Sequence, residues 1–279
     1  MSIMVVTDST ACLPEIEESG RVTVVPIHVV MRGVSGREGL EIGPEEVANA
    51  LAERTSVSTS QPTPGEFAAV YSDLFAAGAT GIVSIHLAAE LSGTFSCAQL
   101  AAGQVDGPVE VIDSQSTAMG LGFAALAAGR AAVDGLDISG VREAAVGAIP
   151  NISTFFYVDT LEHLRRGGRI TAVSALLGTA LAVKPLLEVV DGKIVLRDKV
   201  RTAARALDRL AALAVEAAGS GRVELGVHHL AAAERAEYLV DTLKDRLGDR
   251  VEAIYTSEVG AAVGAHVGPG LAGVVVHRL

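Results

Sequence analysis

The chain has 279 residues, enough for one large domain or two ordinary ones with a sizeable hydrophobic core. Apolar residues make up 49% and charged residues 20%, which is typical of a globular protein and excludes a disordered chain. The net charge of −11 argues against non-specific nucleic-acid binding, so no nucleic-acid partner is expected.

The sequence also bears on location. No stretch has the roughly 20 apolar residues that a membrane span needs. The first residues lack the basic region of a signal peptide and instead predict a strand. Cys12 and Cys97 are far apart and form no CxxC pair, which favours free thiols in a reducing compartment. We therefore expect a cytoplasmic protein.

In the first half, short apolar runs alternate with helical patterns. Strands are predicted at 3–7, 22–31, 81–86 and 109–113, a hairpin over 33–42, and helices at 44–54, 64–77, 92–104, 118–134 and 138–148. Apolar strands separated by helices predict a parallel sheet covered on both faces, so an α/β domain of three layers is expected over 1–150.

A second α/β domain with a mixed sheet is predicted over 151–279, beginning just after Pro150. Strands are expected at 154–158, 223–228 and 251–255, an edge strand at 273–277, and helices at 202–218 and 232–247. Asp191-Gly192 favours a hairpin between 186–190 and 194–200. Residues 264–270 are rich in glycine and predict a flexible loop that carries His266.

The charge is unevenly placed along the chain. Residues 163–209 hold 10 basic and 4 acidic side chains, whereas 1–162 hold 6 basic and 20 acidic ones. The simpler interpretation of the basic segment is a solvated face. The alternative is a docking surface for an acidic partner, a phosphate group or an anionic membrane surface.

Four hydroxyl-rich motifs, at residues 7–10, 59–62, 92–94 and 113–117, follow predicted strands or precede helices. Each alone is adequately explained as a helix cap. Together they predict a ligand-binding crevice at the carboxyl edge of the sheet. Ser92-Gly93-Thr94 is the best anion site, because a helix N-terminus offers free N–H groups.

Other motifs narrow the chemistry. There is no GxxxxGK[ST] sequence, no HExxH or CxxC pair and no GxSxG, so a P-loop, a metal site and an α/β-hydrolase elbow are not predicted. The match to GxGxxG at 268–273 lacks a strand before it and a helix after it. One enzymatic alternative stays open, an acyl hydrolase or acyltransferase with Ser92 as nucleophile and His266 as base.

The motifs, in their order, resemble the DegV family, which includes the fatty-acid-binding subunits of bacterial fatty acid kinase. The resemblance spans nearly the whole chain and rests on these pieces: Val6-Thr7-Asp8-Ser9-Thr10, Thr59-Ser60-Gln61-Pro62, Ser84-Ile85-His86-Leu87, Leu91-Ser92-Gly93-Thr94, Val111-Ile112-Asp113-Ser114, Gly167-Gly168-Arg169-Ile170, Lys184-Pro185, Asp191-Gly192-Lys193, Arg201-Thr202, and His266 with Gly268 and Gly270.

The resemblance implies a long-chain fatty acid buried between two domains and no other cofactor. It also implies that a separate, ATP-binding kinase subunit converts the bound carboxylate to an acyl phosphate, so this chain would bind lipid without being an enzyme itself. Thr59 and Ser92 would hold the carboxylate, with His266 near the head group, and Arg201 would serve the kinase partner. The remaining candidates are Ser60, Gly93 and Thr94 beside the carboxylate, and Asp8, Ser9 and Ser114 at the edge of the pocket.

One position departs from the family pattern. Many members carry two serines just before Leu-Ser-Gly-Thr, where this chain has Ala88-Ala89. Because alanine lacks a hydroxyl, the departure predicts fewer polar groups around the head group of the ligand.

Overall fold

The computed structural model describes residues 2–14, 22–170 and 183–279. In chain order the strands of these residues are β1 (Ile3–Asp8), β2 (Val22–Val25), β3 (His28–Met31), β4 (Val34–Arg37), β5 (Val57–Ser60), β6 (Gly81–His86), β7 (Val109–Asp113), β8 (Ile152–Tyr157), β9 (Lys184–Val190), β10 (Lys193–Val200), β11 (Val223–His229), β12 (Val251–Glu258) and β13 (Ala272–Arg278). The α-helices are α1 (Pro44–Ala52), α2 (Pro64–Ala76), α3 (Thr94–Ala102), α4 (Met119–Val133), α5 (Ile138–Ala148), α6 (Glu162–Arg166), α7 (Ala203–Ala218), α8 (Ala233–Leu247) and α9 (Ala261–Val267).

Four strands of the first half form a parallel sheet in the order β2-β1-β6-β7. Phe67 and Tyr71 of α2 are buried against one face together with Ala98 of α3. Helices α4 and α5 cover the other face, because their alanines allow close packing on Val5 and Val83. The predicted parallel sheet with helices on both faces is confirmed.

The second half forms a mixed sheet in the order β10-β9-β8-β13-β11-β12. Helices α7 and α8 bury Leu210 and Leu239 against one face. The other face turns toward the first half of the chain, where Val275 packs on Met119 and Phe123 of α4. The α/β class with a second, mixed-sheet domain is therefore confirmed, while the predicted limits 1–150 and 151–279 stay a prediction.

The predicted hairpin around Asp191-Gly192 is present between β9 and β10. Both turn residues have positive φ, 48° at Asp191 and 77° at Gly192. A two-residue turn of this type matches the twist of antiparallel strands, and Asp-Gly tolerates the conformation.

The expectation of an edge strand at 273–277 was wrong. Strand β13 lies inside the mixed sheet, antiparallel to β8 on one side and to β11 on the other. Its residues are almost all buried, which fits an interior strand better than an edge.

The single strand expected over 22–31 was also wrong, because the chain divides it between two sheets. Strand β2 pairs with β1, but β3 belongs to a separate antiparallel sheet in the order β4-β3-β5. Pro26 stands at the division, where a residue without an N–H cannot continue a ladder. The N–H of Ile27 then donates to Ser9 Oγ at 2.9 Å. The hairpin expected over 33–42 lies earlier in the chain, because it joins β3 to β4 over 28–37 and only β4 falls within the predicted range.

The flexible loop expected around His266 is instead largely helix α9. Its alanine-rich sequence favours a helix, and Gly260 and Gly268 flank it. Gly268 has a φ of 76°, which ends the helix. Alanines of α9 are buried with Val47 of α1 and Val29 of β3, so the helix lies on elements of the first half of the chain.

A partly buried ionic cluster ties α4 to the mixed sheet. Arg130 donates to Glu224 Oε1 at 2.7 Å, and Glu224 Oε2 lies 3.1 Å from His277 Nδ1. Burial alone would raise the pKa of Glu224, but the hydrogen bonds from His277 and Arg130 outweigh it and lower that pKa to about 2. Within the described ranges, no helix is both long and apolar enough to span a membrane.

Candidate functional site

A cavity lies between the mixed sheet, α9 and the loops that follow β1, β6 and β7. The space inside it is about 950 Å³, a figure that includes open solvent at its mouth. Most of its wall is aliphatic or aromatic, including Ile27, Leu87, Phe156, Val189, Ile194 and Leu271. Such a wall suits a long apolar group.

Of the residues that the structure describes, ten with polar side chains interrupt this wall: Thr10, Thr59, Ser60, Gln61, Ser92, Thr117, Thr154, Arg169, His228 and His266. Several already have partners within the protein. Met119 N donates to Nε2 of His228 at 3.3 Å, and Thr154 Oγ1 lies 3.2 Å from Ser116 Oγ. Burial lowers the pKa of His228 to about 4, so that ring is neutral at pH 7.

Thr59 and His266 form the centre of the polar part of the cavity. Thr59 is on β5 and His266 in the last turn of α9, yet Thr59 Oγ1 lies 2.8 Å from His266 Nε2. The bond joins residues that are 207 positions apart. The structure thus brings together two of the predicted carboxylate ligands, and it does so through the antiparallel sheet instead of the parallel-sheet edge predicted for residues 59–62.

His266 is neutral at physiological pH. Burial of the ring, and then the nearby positive charge of Arg169, lower its pKa to about 4. A neutral imidazole has one N–H donor and one acceptor nitrogen. It can therefore orient the Thr59 hydroxyl without bringing a charge into the cavity.

Gly167 makes room for that ring. A Cβ added at this position would lie 2.2 Å from His266 Nδ1, too close for any real contact. Arg169, two residues further on, donates from Nε to the carbonyl oxygen of Leu91 at 3.0 Å and from its guanidinium to the carbonyl of Gly167. A positive charge is thereby fixed beside His266 and Ser92.

Arg169 and Gln61 line the cavity, although no role is predicted for either from the sequence. Both were quoted within motifs, but neither motif showed which of its members faces the ligand. The signal that could have found Arg169 is the pair of glycines before it, because they let the backbone approach His266 closely.

Ser92-Gly93-Thr94 contributes one side chain to the wall. Ser92 lines the cavity, and its Oγ lies 2.9 Å from Thr94 Oγ1. Thr94 is fully buried at the start of α3 and does not line the cavity. A Cβ at Gly93 would lie 3.3 Å from Gln61 Nε2, so this glycine allows the Gln61 amide to pack close beside Ser92. Ser60 lines the cavity as well.

The hydrolase alternative required a hydrogen bond between Ser92 and His266. The structure instead pairs Ser92 with Thr94 and His266 with Thr59. Among the described residues no carboxylate is hydrogen-bonded to His266, and a ring with a pKa of about 4 is a weak base. The arrangement does not favour nucleophilic catalysis at Ser92.

Asp8, Ser9 and Ser114 lie behind the cavity wall. Both oxygens of Asp8 are used inside the protein, by Thr10 on one side and by His86 and the N–H of Leu87 on the other. Ser114 is buried and caps its own turn. These residues hold the loops that line the cavity without facing it.

Asp8 is the first member of a linear series of hydrogen-bonded polar side chains inside the protein. His86 Nδ1 lies 3.1 Å from Asp8 Oδ2, His86 Nε2 lies 2.7 Å from Ser84 Oγ, and Ser84 Oγ lies 2.8 Å from Tyr71 Oη. The order Ser-His-Asp resembles a catalytic triad. All four side chains are 0% exposed, however, and none lines the cavity. We interpret the chain as a structural network.

A protein-family model described as DegV matches residues 2–278. The chain belongs to the DegV family. It is 49% identical over 276 residues to a DegV domain-containing protein of Streptomyces coelicolor, with 98% of each chain covered. Among solved structures, a DegV family protein of Thermus thermophilus described by its fatty acid binding is 32% identical, with a TM-score of 0.93 and 100% of both chains covered. DegV of Bacillus subtilis, described as a fatty acid binding protein, is also 32% identical, with a TM-score of 0.91 and 100% of both chains covered.

Ala88 and Ala89, which depart from the DegV pattern, do not line the cavity. Ala88 is fully buried, and its N–H donates to the carbonyl of Ser116 at 2.9 Å. The N–H of Ala89 reaches Asp113 Oδ1 at 3.3 Å. Their backbone holds the neighbouring turns together, and the effect of the two alanines on the head group stays a prediction.

A second, more polar depression adjoins the polar part of this DegV cavity. Its volume is about 760 Å³ including its open mouth, and it shares Thr59, Arg169 and His266 with the first. Ser56, Ser58, His163 and Arg166 complete its polar lining. The three shared residues thus lie between a mostly apolar chamber and one with a more polar lining.

Arg201 lies away from both depressions. It is exposed, immediately before α7, and lines neither space. Within the described ranges no group of three or more His, Cys, Asp or Glu side chains could hold a metal ion.

Proposed function

We propose that this DegV protein binds a long-chain fatty acid in its apolar cavity and presents the carboxylate to a separate, ATP-binding kinase subunit for conversion to an acyl phosphate. The observation that carries the proposal is a mostly apolar chamber that ends at Thr59, Ser92 and His266. Two relatives with the same fold along their whole length, from Thermus thermophilus and Bacillus subtilis, are described as binding fatty acids.

Burial of the acyl chain would supply most of the affinity. Each methylene removed from water contributes about 0.8 kcal/mol, so fifteen of them contribute roughly 12 kcal/mol before the cost of ordering the chain. That is enough for affinity well below micromolar. The aliphatic wall offers the matching surface.

The carboxylate needs hydrogen bonds, because a buried charge without partners is very costly. In the proposed complex, His266 Nε2–H donates to Thr59 Oγ1, which leaves the hydroxyl hydrogen of Thr59 free to donate to a carboxylate oxygen. The hydroxyl of Ser92 donates a second hydrogen bond to the carboxylate. The guanidinium of Arg169 balances the negative charge from close by.

Presentation to another protein requires access to the carboxylate. The second depression supports this step, because it shares Thr59 and His266 with the apolar chamber and carries Arg166 and Arg169. A phosphoryl donor entering there would meet positive charge. Arg201, in the basic segment 163–209, is our candidate for contact with the kinase subunit.

Extraction of the purified protein with organic solvent tests the binding step. Mass spectrometry of the extract should find fatty acid close to one molecule per chain. An empty cavity that also fails to take up hexadecanoate or cis-9-octadecenoate would contradict the proposal.

A reconstituted phosphorylation assay tests the presentation step. The loaded protein, ATP and the purified kinase subunit of a bacterial fatty acid kinase are combined, and acyl phosphate is trapped as a hydroxamate with hydroxylamine. We expect Arg201→Ala to lower hydroxamate formation at least tenfold while lipid binding stays within about twofold of wild type. Unchanged hydroxamate formation would remove Arg201 from this role, and no hydroxamate with wild-type protein would refute presentation.

A further inference from the structure

Glu38 is a buried carboxylate outside the candidate site, at the end of hairpin strand β4. The residue is only 5% exposed. Its Oε1 accepts from the N–H of Ala262 in the first turn of α9 at 2.7 Å, and its Oε2 accepts from the hydroxyl of Ser9. Burial raises the pKa of Glu38, which shows that the site is costly for a carboxylate.

The local structure is built to admit this carboxylate. A Cβ added at Gly260 would collide with Glu38 Oε1, so any larger residue just before α9 would displace the carboxylate. Ser9 in turn accepts from the N–H of Ile27, whose carbonyl accepts from the N–H of Glu38 at 2.9 Å. One side chain thus joins the end of β1, the turn between β2 and β3, and α9.

The two ends of α9 are fixed to the same antiparallel sheet. Glu38 follows β4 and holds the first turn, while Thr59 of β5 contacts His266 in the last turn. Ala262 and His266 are four residues apart, so they lie on one face of the helix, and both line the cavity. A helix of only seven residues has little stability of its own and depends on such attachments.

We propose that Glu38 is the positioning residue for His266: its carboxylate fixes the first turn of α9 and so holds the imidazole against Thr59 in the geometry that binds a carboxylate. Glu38 itself does not touch the ligand. The inference rests on the proposed fatty-acid binding for its functional consequence, but the placement of His266 can be tested without any ligand.

Three substitutions at Glu38 separate side-chain length from charge. Glu38→Gln keeps the length and an acceptor oxygen for Ala262 N, so it should preserve the position of α9. Glu38→Asp keeps the charge but is one methylene too short to reach both partners, and Glu38→Ala removes the group. Glu224→Ala is the matched control, since Glu224 is also 5% exposed but bonds to Arg130 and His277 instead of α9.

The first measurement is the pKa of His266 in delipidated protein, followed by NMR of the imidazole nitrogens. Wild type, Glu38→Gln and Glu224→Ala should keep the pKa of this ring far below 6.5. Glu38→Asp and Glu38→Ala should raise it toward 6.5, because a loosened α9 admits water to the ring. If neither variant raises the pKa of His266, Glu38 does not position it. Should Glu38→Ala fail to fold, the difference between the pKa of His266 in Glu38→Asp and in Glu38→Gln decides the question.

The second measurement is head-group preference, the ratio of the Kd for hexadecan-1-ol to that for hexadecanoate. Glu38→Asp and Glu38→Ala should lower this ratio about tenfold, or about 1.4 kcal/mol. Glu38→Gln and Glu224→Ala should stay within about twofold of wild type. A ratio that is unchanged in all variants overturns the inference while leaving fatty-acid binding intact. If wild type binds neither probe, the proposed function fails, and the NMR result still decides the role of Glu38.

Discussion

Two polar networks of this protein have similar residue types but opposite surroundings. The chain Asp8–His86–Ser84–Tyr71 is fully buried, and its polar atoms contact one another. The cluster around Thr59 and His266 borders a cavity, and among the described residues the Thr59–His266 bond leaves one N–H or O–H donor of the pair free for a ligand. A hydroxyl next to an imidazole is therefore no sign of a site in itself. In the first, closed network, the polar groups are hydrogen-bonded to other protein groups. In the second, open cluster, some of them can still bond to a ligand in the cavity.

The largest expected effect is on the closed network. His86→Ala would leave the buried Asp8 and Ser84 without their shared partner, and we expect it to lower the free energy of unfolding by about 3 kcal/mol. Urea denaturation measures this loss. Folded His86→Ala protein should still bind hexadecanoate. A loss below about 1 kcal/mol would mean that the closed network is less important to stability than its burial indicates.

Gly167→Ala should damage the open cluster with little effect on the fold. The φ of Gly167 is −71°, which alanine adopts freely, but its Cβ would collide with the His266 ring. We expect the Kd for hexadecanoate to rise about thirtyfold, or about 2 kcal/mol, by isothermal titration calorimetry. Gly147→Ala in α5 is the control, because a Cβ there meets nothing within 4 Å. Equal affinities of the two variants would argue against a role of His266 in binding.

Thr59→Val removes one hydroxyl and keeps the shape of the side chain. We expect about a tenfold rise in the Kd for hexadecanoate, or about 1.4 kcal/mol. The Kd for hexadecan-1-ol should change much less, since the alcohol carries no charge to be held. Thr55→Val, just before β5 and outside both depressions, should leave both values unchanged. A parallel loss for acid and alcohol would show that Thr59 serves packing instead of carboxylate recognition.

The smallest effect concerns pH. His266 and His228 both have a pKa of about 4 in the folded protein, below their ordinary value of 6.5. The unfolded chain therefore binds more protons as the pH falls from 6.5 toward 4, and stability decreases over that window. Between pH 8 and pH 6, each of these two histidines should lower the free energy of unfolding by about 0.8 kcal/mol. His266→Gln should reduce the pH dependence of urea denaturation by that amount. An unaltered pH dependence would mean that His266 is solvated in the folded protein.

The sequence predicted most elements of this fold because their signals are local. Capping residues and proline mark helix starts such as Thr63-Pro64, and Asp191-Gly192 alone specifies a hairpin. The separation of β3 from β2 and the interior place of β13 could not be predicted, because each depends on pairing with strands far away in the chain.

The candidate site was predictable to a similar degree. Thr59, Ser92 and His266 were found through motifs, and they do line one cavity. The helix around His266 was missed because glycines normally argue against helices, whereas here burial against α1 and β3 stabilises α9. Arg169 and Glu38 were missed as well. Their roles come from contacts with Leu91 and Ala262, and no local pattern reveals such partners.

The interior position of β13 has a consequence for how the protein matures. Strands β8 and β11 flank it, so neither is paired on that side until residues 272–278 have been synthesised. These pairings join distant parts of the chain and are expected to form slowly. Helix α9 comes just before β13, so the imidazole and the central strand of the cavity wall arrive together. A growing polypeptide thus has no closed chamber until β13 has paired, so the proposed binding of a fatty acid would begin only after that pairing.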